Sequence, residues 1–314
     1  MITRNNIPIY DICWLNHAPD GGGTIGTFYE PKNIDELREI CSSLYKTGKN
    51  FDLIGHTSNI YFLPDYSVET MVSTRKCRNV VEKEDCIICD CGVPVAKLSR
   101  CMVDKGIKGF EGLVDLPGTI GAAVYGNASC YDCSINSMLE SFELLTPNGE
   151  ISILTAKDLR LSKRSSSLKR GEIHGVILKV NMKKEKGDTA TLKEIAESYH
   201  NIRKETQPEP KDNLGSIYAE SGGWSISSIF PRVFGRCYEI LLKLSGITKQ
   251  EARQRKGRFI FTILGAGDLI PYVYNWNRYI WKDEQSHHMF WKYHKLHQKM
   301  FKKSVFEIEI KGKI

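Results

Sequence analysis

In the stretch Ile54-Gly-His-Thr-Ser-Asn-Ile60, small and hydrogen-bonding residues are packed into one turn. Gly55 frees the backbone for close approach to a ligand. Thr57, Ser58 and Asn59 add side-chain donors beside backbone N–H groups, which is what a pyrophosphate needs. The spacing is neither a Walker loop nor a G-x-G-x-x-G fingerprint, and many turns after strands have this look. A second stretch runs Gly109-Phe-Glu-Gly-Leu-Val-Asp-Leu-Pro-Gly-Thr-Ile-Gly-Ala-Ala-Val-Tyr-Gly-Asn127. From Leu116 onward it carries no charge and is dense in Gly and Ala. Such a backbone suits close contact with a large flat ligand. It equally suits a tight loop shaped by packing of a helix against a strand.

These stretches need elements to position them. Residues 33–47 read as a helix: Asn33 caps it, Glu36 follows as in a capping box, and Ile34, Leu37, Ile40, Cys41 and Leu44 form one apolar stripe. A short buried strand is expected at 51–55, with further strands at 68–72, 87–92, 139–145 and 176–180. A helix is expected at 95–105, ahead of Gly106. Short strands mixed with helices up to about residue 184 indicate an α+β domain. Residues 183–188 read as a linker and 192–203 as a helix. Further on, Phe234, Cys237, Tyr238, Leu241 and Leu244 fall at helical spacing, a stripe expected to pack within the domain rather than face lipid. Residues 284–302 read as a helix rich in Lys and His. Val305-Phe-Glu-Ile-Glu-Ile310 alternates like one half-exposed strand.

A chain of 314 residues implies two or three domains. The start lacks a clean apolar signal segment, and no stretch approaches the length needed to span a bilayer. Ten cysteines in such a chain argue for reduced thiols in a cytoplasm. Cys86, Cys89 and Cys91, with Cys130 and Cys133, have spacings that zinc sites use. The first group reads better as a strand, and no metal is expected. The net charge of +7 is uneven: residues 251–314 hold thirteen Lys and Arg against six Asp and Glu, while the remainder balances. A basic C-terminal fifth suggests an anionic partner. A diphosphate substrate, an anionic membrane surface and nucleic acid all qualify, as does a merely solvated basic helix.

The order and spacing of the two stretches resemble the UDP-N-acetylenolpyruvoylglucosamine reductase (UDP-N-acetylmuramate dehydrogenase) family, of the PCMH or vanillyl-alcohol-oxidase type of flavoproteins. Ile54-Gly-His-Thr-Ser-Asn59 is similar to that family's L-G-x-G-S-N, with Thr57 for a Gly. Asp115-Leu-Pro-Gly-Thr-Ile-Gly-Ala-Ala123 is similar to G-I-P-G-x-x-G-G-A, and Asn127-Ala-Ser-Cys-Tyr131 to N-A-G-A-Y. Lys163-Arg-Ser-Ser-Ser-Leu-Lys169 stands where the family has Y-R-x-S and then x-F-K. Asn213-Leu-Gly-Ser-Ile-Tyr218 resembles N-A-G-S-x-F, and Phe306-Glu-Ile-Glu-Ile310 resembles L-E-x-E-V. The resemblance covers about 22–218 and 304–312. The family continues past Tyr218 with a Lys that helps to hold substrate. Here Ala219 and Glu220 follow, and 221–285 does not align.

The resemblance implies a two-subdomain PCMH-type FAD-binding domain at 1–184. A smaller α+β substrate-binding domain follows at 185–314, helix-rich and divergent at 221–285. It implies FAD bound without a covalent bond by Ile54, Gly55, His56, Thr57, Ser58, Asn59, Ile60, Pro117, Gly118, Thr119, Gly121, Ala122, Asn127, Ala128 and Ile177, with NADPH as the reductant. Nothing in the family pattern calls for a covalent tether, for which His56 is a candidate. Hydride from the reduced flavin would reach an enolpyruvyl double bond. Arg164 would pair with the carboxylate side, Ser216 would donate the proton, and Glu309 would help to stabilise or position the intermediate. The partner implied is a small nucleotide-sugar and no nucleic acid, with weak membrane-surface contact through the basic section as a further expectation. Three functions stay open: the cell-wall reductase; a paralogue acting on another sugar or nucleotide-sugar in surface-polysaccharide synthesis; and a flavin-binding protein without catalysis.

Overall fold

The computed structural model describes residues 2–16 and 23–313, with the backbone alone at 249, 250, 253 and 254. The start of the resemblance, at residue 22, lies outside the described residues.

Helix α1 (Ile34–Lys46) forms where the apolar stripe places it, with Ile34, Leu37, Ile40, Cys41 and Leu44 buried. The Asn33 side chain accepts from the Glu36 N–H at 2.9 Å. The Glu36 carboxylate reaches one residue further back than in a capping box and accepts from the Lys32 N–H at 2.9 Å. Strands β1 (Ile2–Pro8) and β2 (Thr24–Glu30) precede the helix; β3 (Asp52–Ile54), β4 (Ile60–Phe62) and β5 (Val68–Ser73) follow it. Four of these make a sheet in the order β1-β2-β5-β3, antiparallel at β1–β2 and parallel elsewhere.

The chain continues through β6 (Val80–Glu82), β7 (Cys86–Asp90), α2 (Val95–Asp104) and α3 (Ile120–Tyr125). The two-residue strands β8 (Ser129–Cys130) and β9 (Cys133–Ser134) come next, then β10 (Leu139–Leu145), β11 (Ile151–Thr155) and β12 (Val176–Lys183). A second, antiparallel sheet has the order β11-β10-β12-β7-β6. The main core joins this sheet to the helices, through Leu37 and Leu44 of α1, Leu98 and Met102 of α2, and Phe142 and Val180 of the sheet. The fold is α+β, and the two sheets are the two halves expected of a PCMH-type domain.

Residues 183–188 are fastened to the body. Lys184 N–H donates to the Asp85 carbonyl (3.1 Å), Lys108 N–H to Glu185 (3.0 Å) and Gly187 N–H to Gly106 (2.9 Å). The segment read as a linker is therefore hydrogen-bonded at both ends. Helix α4 (Thr189–Thr206) is capped by Asp188, which accepts from Thr191 N–H at 2.8 Å. It buries Leu192 and Ala196 against the main core.

Beyond it lie β13 (Tyr218–Glu220), α5 (Ile229–Leu244), α6 (Lys249–Ile263), β14 (Val273–Asn275), β15 (Arg278–Tyr279), α7 (Ser286–Met300), β16 (Val305–Phe306) and β17 (Glu309–Lys311). An aromatic core holds them. Tyr61 of β4 packs with Tyr279, Trp281, Phe290 and Tyr293, all fully buried. Rings of this size contribute both area and edge-to-face contacts.

Two expectations are corrected here. Residues 305–310 are not one strand. Strand β16 pairs with β13, whereas β17 pairs in parallel with β4. Between them Glu307 N–H donates to the Ile217 carbonyl and Glu309 N–H to the Asn59 carbonyl, both at 2.8 Å, so the backbone changes partner within three residues. The stripe of α5 does not pack inside either. Phe234, Leu241 and Leu244 are 51%, 64% and 79% exposed. The face that does seat carries Pro231, Gly235 and Leu242. A Cβ at Gly235 would lie 2.8 Å from Ile260 Cδ1, so the small residue is what admits α6. Tyr238 reaches α6 at its edge, stacked on Phe259 with centroids 4.5 Å apart.

Candidate functional site

The turn between β3 and β4 carries the first stretch. Ile54 ends β3 buried, and Ile60 opens β4. Thr57 adopts φ +57°, a left-handed conformation that costs a side-chain-bearing residue about 1–2 kcal/mol. The resembling family has Gly at this position. Thr57 is held there by burial, and its Oγ1 donates to the Ile12 carbonyl at 3.1 Å.

The second stretch meets the first. A Cβ at Gly55 would lie 2.5 Å from Thr119 Oγ1, and one at Gly118, where φ is +119°, would lie 3.4 Å from Ser58 Oγ. The loops can approach this closely because Gly55 lacks a side chain, while Gly118 supplies the positive φ. Pro117 is half-buried. Thr119 Oγ1 is buried with no hydrogen-bond partner among the described residues. In α3, Gly121 N–H donates to the Cys91 carbonyl (2.8 Å), and Cys91 N–H to the Leu178 carbonyl (2.9 Å). This ladder ties the loop to β12 beside Ile177, which is buried. Ala122 replaces a family Gly but is exposed, so its methyl displaces nothing in the fold. Ala128 N–H donates to the Ala123 carbonyl at 2.8 Å. Asn127, at φ +48°, donates from Nδ2 to the Ser162 carbonyl at 2.8 Å and accepts from Asn136 at 3.1 Å. Burial pushes the His56 imidazole down to about 4, helped by the charges of Arg78, Arg75 and Lys211. The glycine contacts, left-handed turns and orphaned Thr119 hydroxyl form a cradle that fits a dinucleotide such as FAD.

The residues expected to do chemistry converge on this cradle. Arg164, at φ +55°, donates from Nη1 to the Ser129 carbonyl (2.8 Å) and hydroxyl (2.9 Å). Its Nε pairs with Glu307 Oε1 at 2.9 Å. Burial raises the Glu307 carboxyl above its usual range, against the pull of Arg164, Lys169, Arg278 and Lys163. Lys169 Nζ lies 3.8 Å from Glu309 Oε1. Ser166 Oγ donates to the Tyr125 carbonyl at 2.6 Å, fixing the Arg164 turn to α3. Burial pushes the Tyr125 phenol up to about 12, with the charge of Glu309 adding to it. Asn59 Nδ2 donates to the Glu307 carbonyl at 3.1 Å, so the flavin-type loop and the two acids share hydrogen bonds. Ser216 is half-buried; the carbonyl of the next residue, Ile217, accepts from Glu307 N–H.

Sequence reasoning singled out Glu309 and missed Glu307, although the alternation that exposes one marks the other. It also passed over Lys169, the Lys of the x-F-K pattern. Arg278 carried no local signal. Its neighbour Asn277 brackets Tyr218, accepting from Tyr218 N–H (2.6 Å) and donating to the Tyr218 carbonyl (3.0 Å). Arg278 thus stands beside the point where the family's substrate Lys is absent. Burial holds its guanidinium below the usual range, and Arg203 repels it. Among the described residues no hydrogen bond or ion pair engages it. All ten cysteines are free thiols, and among the described residues no group of three His, Cys, Asp or Glu is arranged to hold a metal. No described helix is long and apolar enough to cross a membrane.

Residues 27–155 match the family described as FAD binding domain. The UDP-N-acetylenolpyruvoylglucosamine reductase of Caldicellulosiruptor saccharolyticus is 32% identical over 204 residues, covering 64% of this chain and 65% of that protein. That of Bacillus pumilus is 30% identical over 200 residues, covering 63% and 65%. The chain thus spans just under two thirds of the length of these relatives. In the crystal structure of UDP-N-acetylenolpyruvylglucosamine reductase from Thermus caldophilus the same fold recurs, with a TM-score of 0.66 at 17% identity, covering 99% of this chain and 100% of that one. Residues 27–155 thus match an FAD-binding domain, and the chain is similar to the UDP-N-acetylenolpyruvoylglucosamine reductases in sequence over its matched part and in fold over its length.

Proposed function

We propose that this protein is a cytoplasmic FAD-dependent oxidoreductase that uses NADPH to reduce the enolpyruvyl group of a UDP-sugar, in the synthesis of cell-wall peptidoglycan. One observation carries the reading: Arg164, Glu307, Glu309 and the Ser216 turn gather where Asn59 joins the flavin loop to the C-terminal segment. Residues 1–184 would bind the flavin and 185–314 the substrate. FAD would lie, without a covalent bond, along Ile54, Gly55, His56, Thr57, Ser58, Asn59 and Ile60, and against Pro117, Gly118, Thr119, Gly121, Ala122, Asn127, Ala128 and Ile177. When bound and reduced it supplies a hydride to the substrate.

The side chains do the rest. Arg164, a rigid donor fork already oriented by Ser129 and Glu307, holds the substrate carboxylate. Fixed charge of this kind stabilises the developing enolate. Ser216 delivers the proton, and Glu309, balanced by Lys169, positions the intermediate. Arg278 takes the place of the missing family Lys and faces the phosphates. The retained Arg164, Ser216 and Glu309 speak against a protein that only binds flavin.

A second reading has its own support. Ala219 and Glu220 replace the family's Lys, and 221–285 builds α5 and α6 where the family pattern does not align. Both suit a paralogue acting on another sugar nucleotide. Anaerobic NADPH should bleach the bound flavin, and UDP-N-acetylglucosamine enolpyruvate should restore its colour. In Ser216→Ala, bleaching should be nearly unchanged and restoration about 10²–10⁴-fold slower. Restoration only by a different sugar nucleotide moves the assignment to the paralogue. Protein that takes up no FAD ends both.

A further inference from the structure

Helix α5 is apolar around most of its circumference, the pattern of a helix covered on all sides. Only one side is covered here. Pro231, Gly235 and Leu242 seat it on α6. On the opposite side Phe230 is 73% exposed, Val233 55%, Phe234 51%, Leu241 64% and Leu244 79%, and Ile226, just before the helix, is 85% exposed. At 3.6 residues per turn these residues of α5 share one arc of roughly 100°. Arg232, Arg236 and Lys243 fall together on the border between the open and seated faces. Between residues 221 and 263 the chain holds eight Lys and Arg against two Asp and Glu. One of those acids, Glu239, is already taken by Lys243 (2.6 Å) and Lys256 (2.5 Å).

Charge decides what covers the open face. A second copy docked symmetrically would set the same basic border against itself, with no acid free to answer it. The face is also the outer side of a single helix, a convex shape that offers little to a shaped partner. A fluid, planar, anionic surface meets both conditions. Aromatic and aliphatic residues on one side with Arg and Lys beside them are the signature of a helix lying in a bilayer interface. We propose that α5 docks this protein on anionic membranes, with its open face among the acyl chains and Arg232, Arg236 and Lys243 at the phosphate level. The inference stands apart from the catalytic reading, since none of these residues belongs to the proposed site.

The test is co-sedimentation of the full chain, loaded with FAD, with vesicles of phosphatidylcholine alone or mixed with phosphatidylglycerol. The protein should pellet with the mixed vesicles and not with the neutral ones. Phe230→Asp with Leu241→Asp should lower partitioning about tenfold or more, with circular dichroism unchanged; Leu244→Gln, at the exposed helix end, is the milder variant should the pair unfold. Arg232→Ser with Arg236→Ser should weaken binding in low salt. Protein left in solution with both vesicle types overturns the proposal. So does anionic binding that the Asp pair leaves untouched, which would be charge alone. A concentration-dependent dimer in light scattering, dispersed by the Asp pair, would also overturn it and assign the face to a second copy.

Discussion

Thr57 sets two effects against each other at one residue. Its left-handed backbone costs about 1–2 kcal/mol relative to Gly, while its hydroxyl bond to the Ile12 carbonyl returns about 0.5–1.5 kcal/mol. The two nearly cancel, which is how a β-branched residue survives where the family pattern has Gly. Thr57→Gly gives up the bond and relieves the strain, so its unfolding free energy should stay within about 1 kcal/mol of the parent. Thr57→Ala gives up the bond and keeps the strain. It should be the less stable of the two by about 1 kcal/mol, as read by urea denaturation with FAD present. An Ala variant as stable as the Gly variant would mean that the backbone there is unstrained. The same balance explains what could be read at this scale. Gly55 is dictated by a contact that leaves no room for a Cβ and Gly118 by its φ of +119°, so residue type announces the geometry. Glu307 is marked only by the alternation it shares with Glu309, and its role comes from Arg164, far away in sequence.

Elements were legible where one face meets one core. The stripe of α1 and the strands at 68–72, 139–145 and 176–180 appear with small shifts, as each buries a periodic face in the main core. Strand β1 was passed over because four consecutive residues, Thr3 to Asn6, are exposed, leaving no alternation to read. Helix α5 was assigned the wrong surroundings, since a stripe reports that a face is apolar and not what lies against it. In α7 the sequence shows His and Lys, and burial sorts them. His297 is fully buried, stacked between Tyr218 (3.6 Å) and Phe301 (4.2 Å). Its Nδ1 shares a hydrogen bond with Ser304 Oγ at 2.7 Å. Burial pushes its pKa down to about 3, with the charge of His294 adding to the effect. Below the unfolded value of ~6.5 the unfolded chain takes up a proton that the folded chain refuses until about pH 3. The stabilising effect is therefore complete above pH ~6.5 and lost progressively as pH falls below it, by about 2 kcal/mol at pH 5 for one such group. His294 and His56 are lowered as well and act in the same sense. In saturating FAD, the fall in Tm between pH 7.5 and pH 5 should be smaller in His297→Leu than in the parent. Parallel falls would place the acid sensitivity elsewhere.

At the scale of the molecule, the excess charge and the aromatic C-terminal core solve one problem together. The core formed by Tyr61, Tyr279, Trp281, Phe290 and Tyr293 fixes the short hairpin of β14 and β15, and the Asn277 bracket on Tyr218 then sets Arg278 beside the cluster of Arg164 and Lys169 around Glu307. None of this is written in local pattern, because the hairpin is only six to seven residues of unremarkable sequence and its place depends on tertiary contacts. What the sequence does show is the basic excess of the last fifth of the chain. Some of that excess is spent on surface pairs such as Lys292 with Asp268 and Lys303 with Glu220, which contribute little. Arg278, unpaired and partly desolvated, is different: an anion brought to it gains a charge-assisted bond in a site that water screens poorly. If it serves the phosphates of a sugar nucleotide, Arg278→Met should raise KM about ten- to hundredfold. The flavin should still bind, since no residue of the FAD cradle changes. Salt should raise KM in the parent, because exposed charge attraction is screened within ~8–10 Å at ordinary ionic strength, and the dependence should be shallower in the variant. Steady-state kinetics across a salt series reads both at once. A KM indifferent to salt and to the loss of Arg278 would show that the phosphates are held elsewhere, and that the basic fifth of the chain meets its anion on another face.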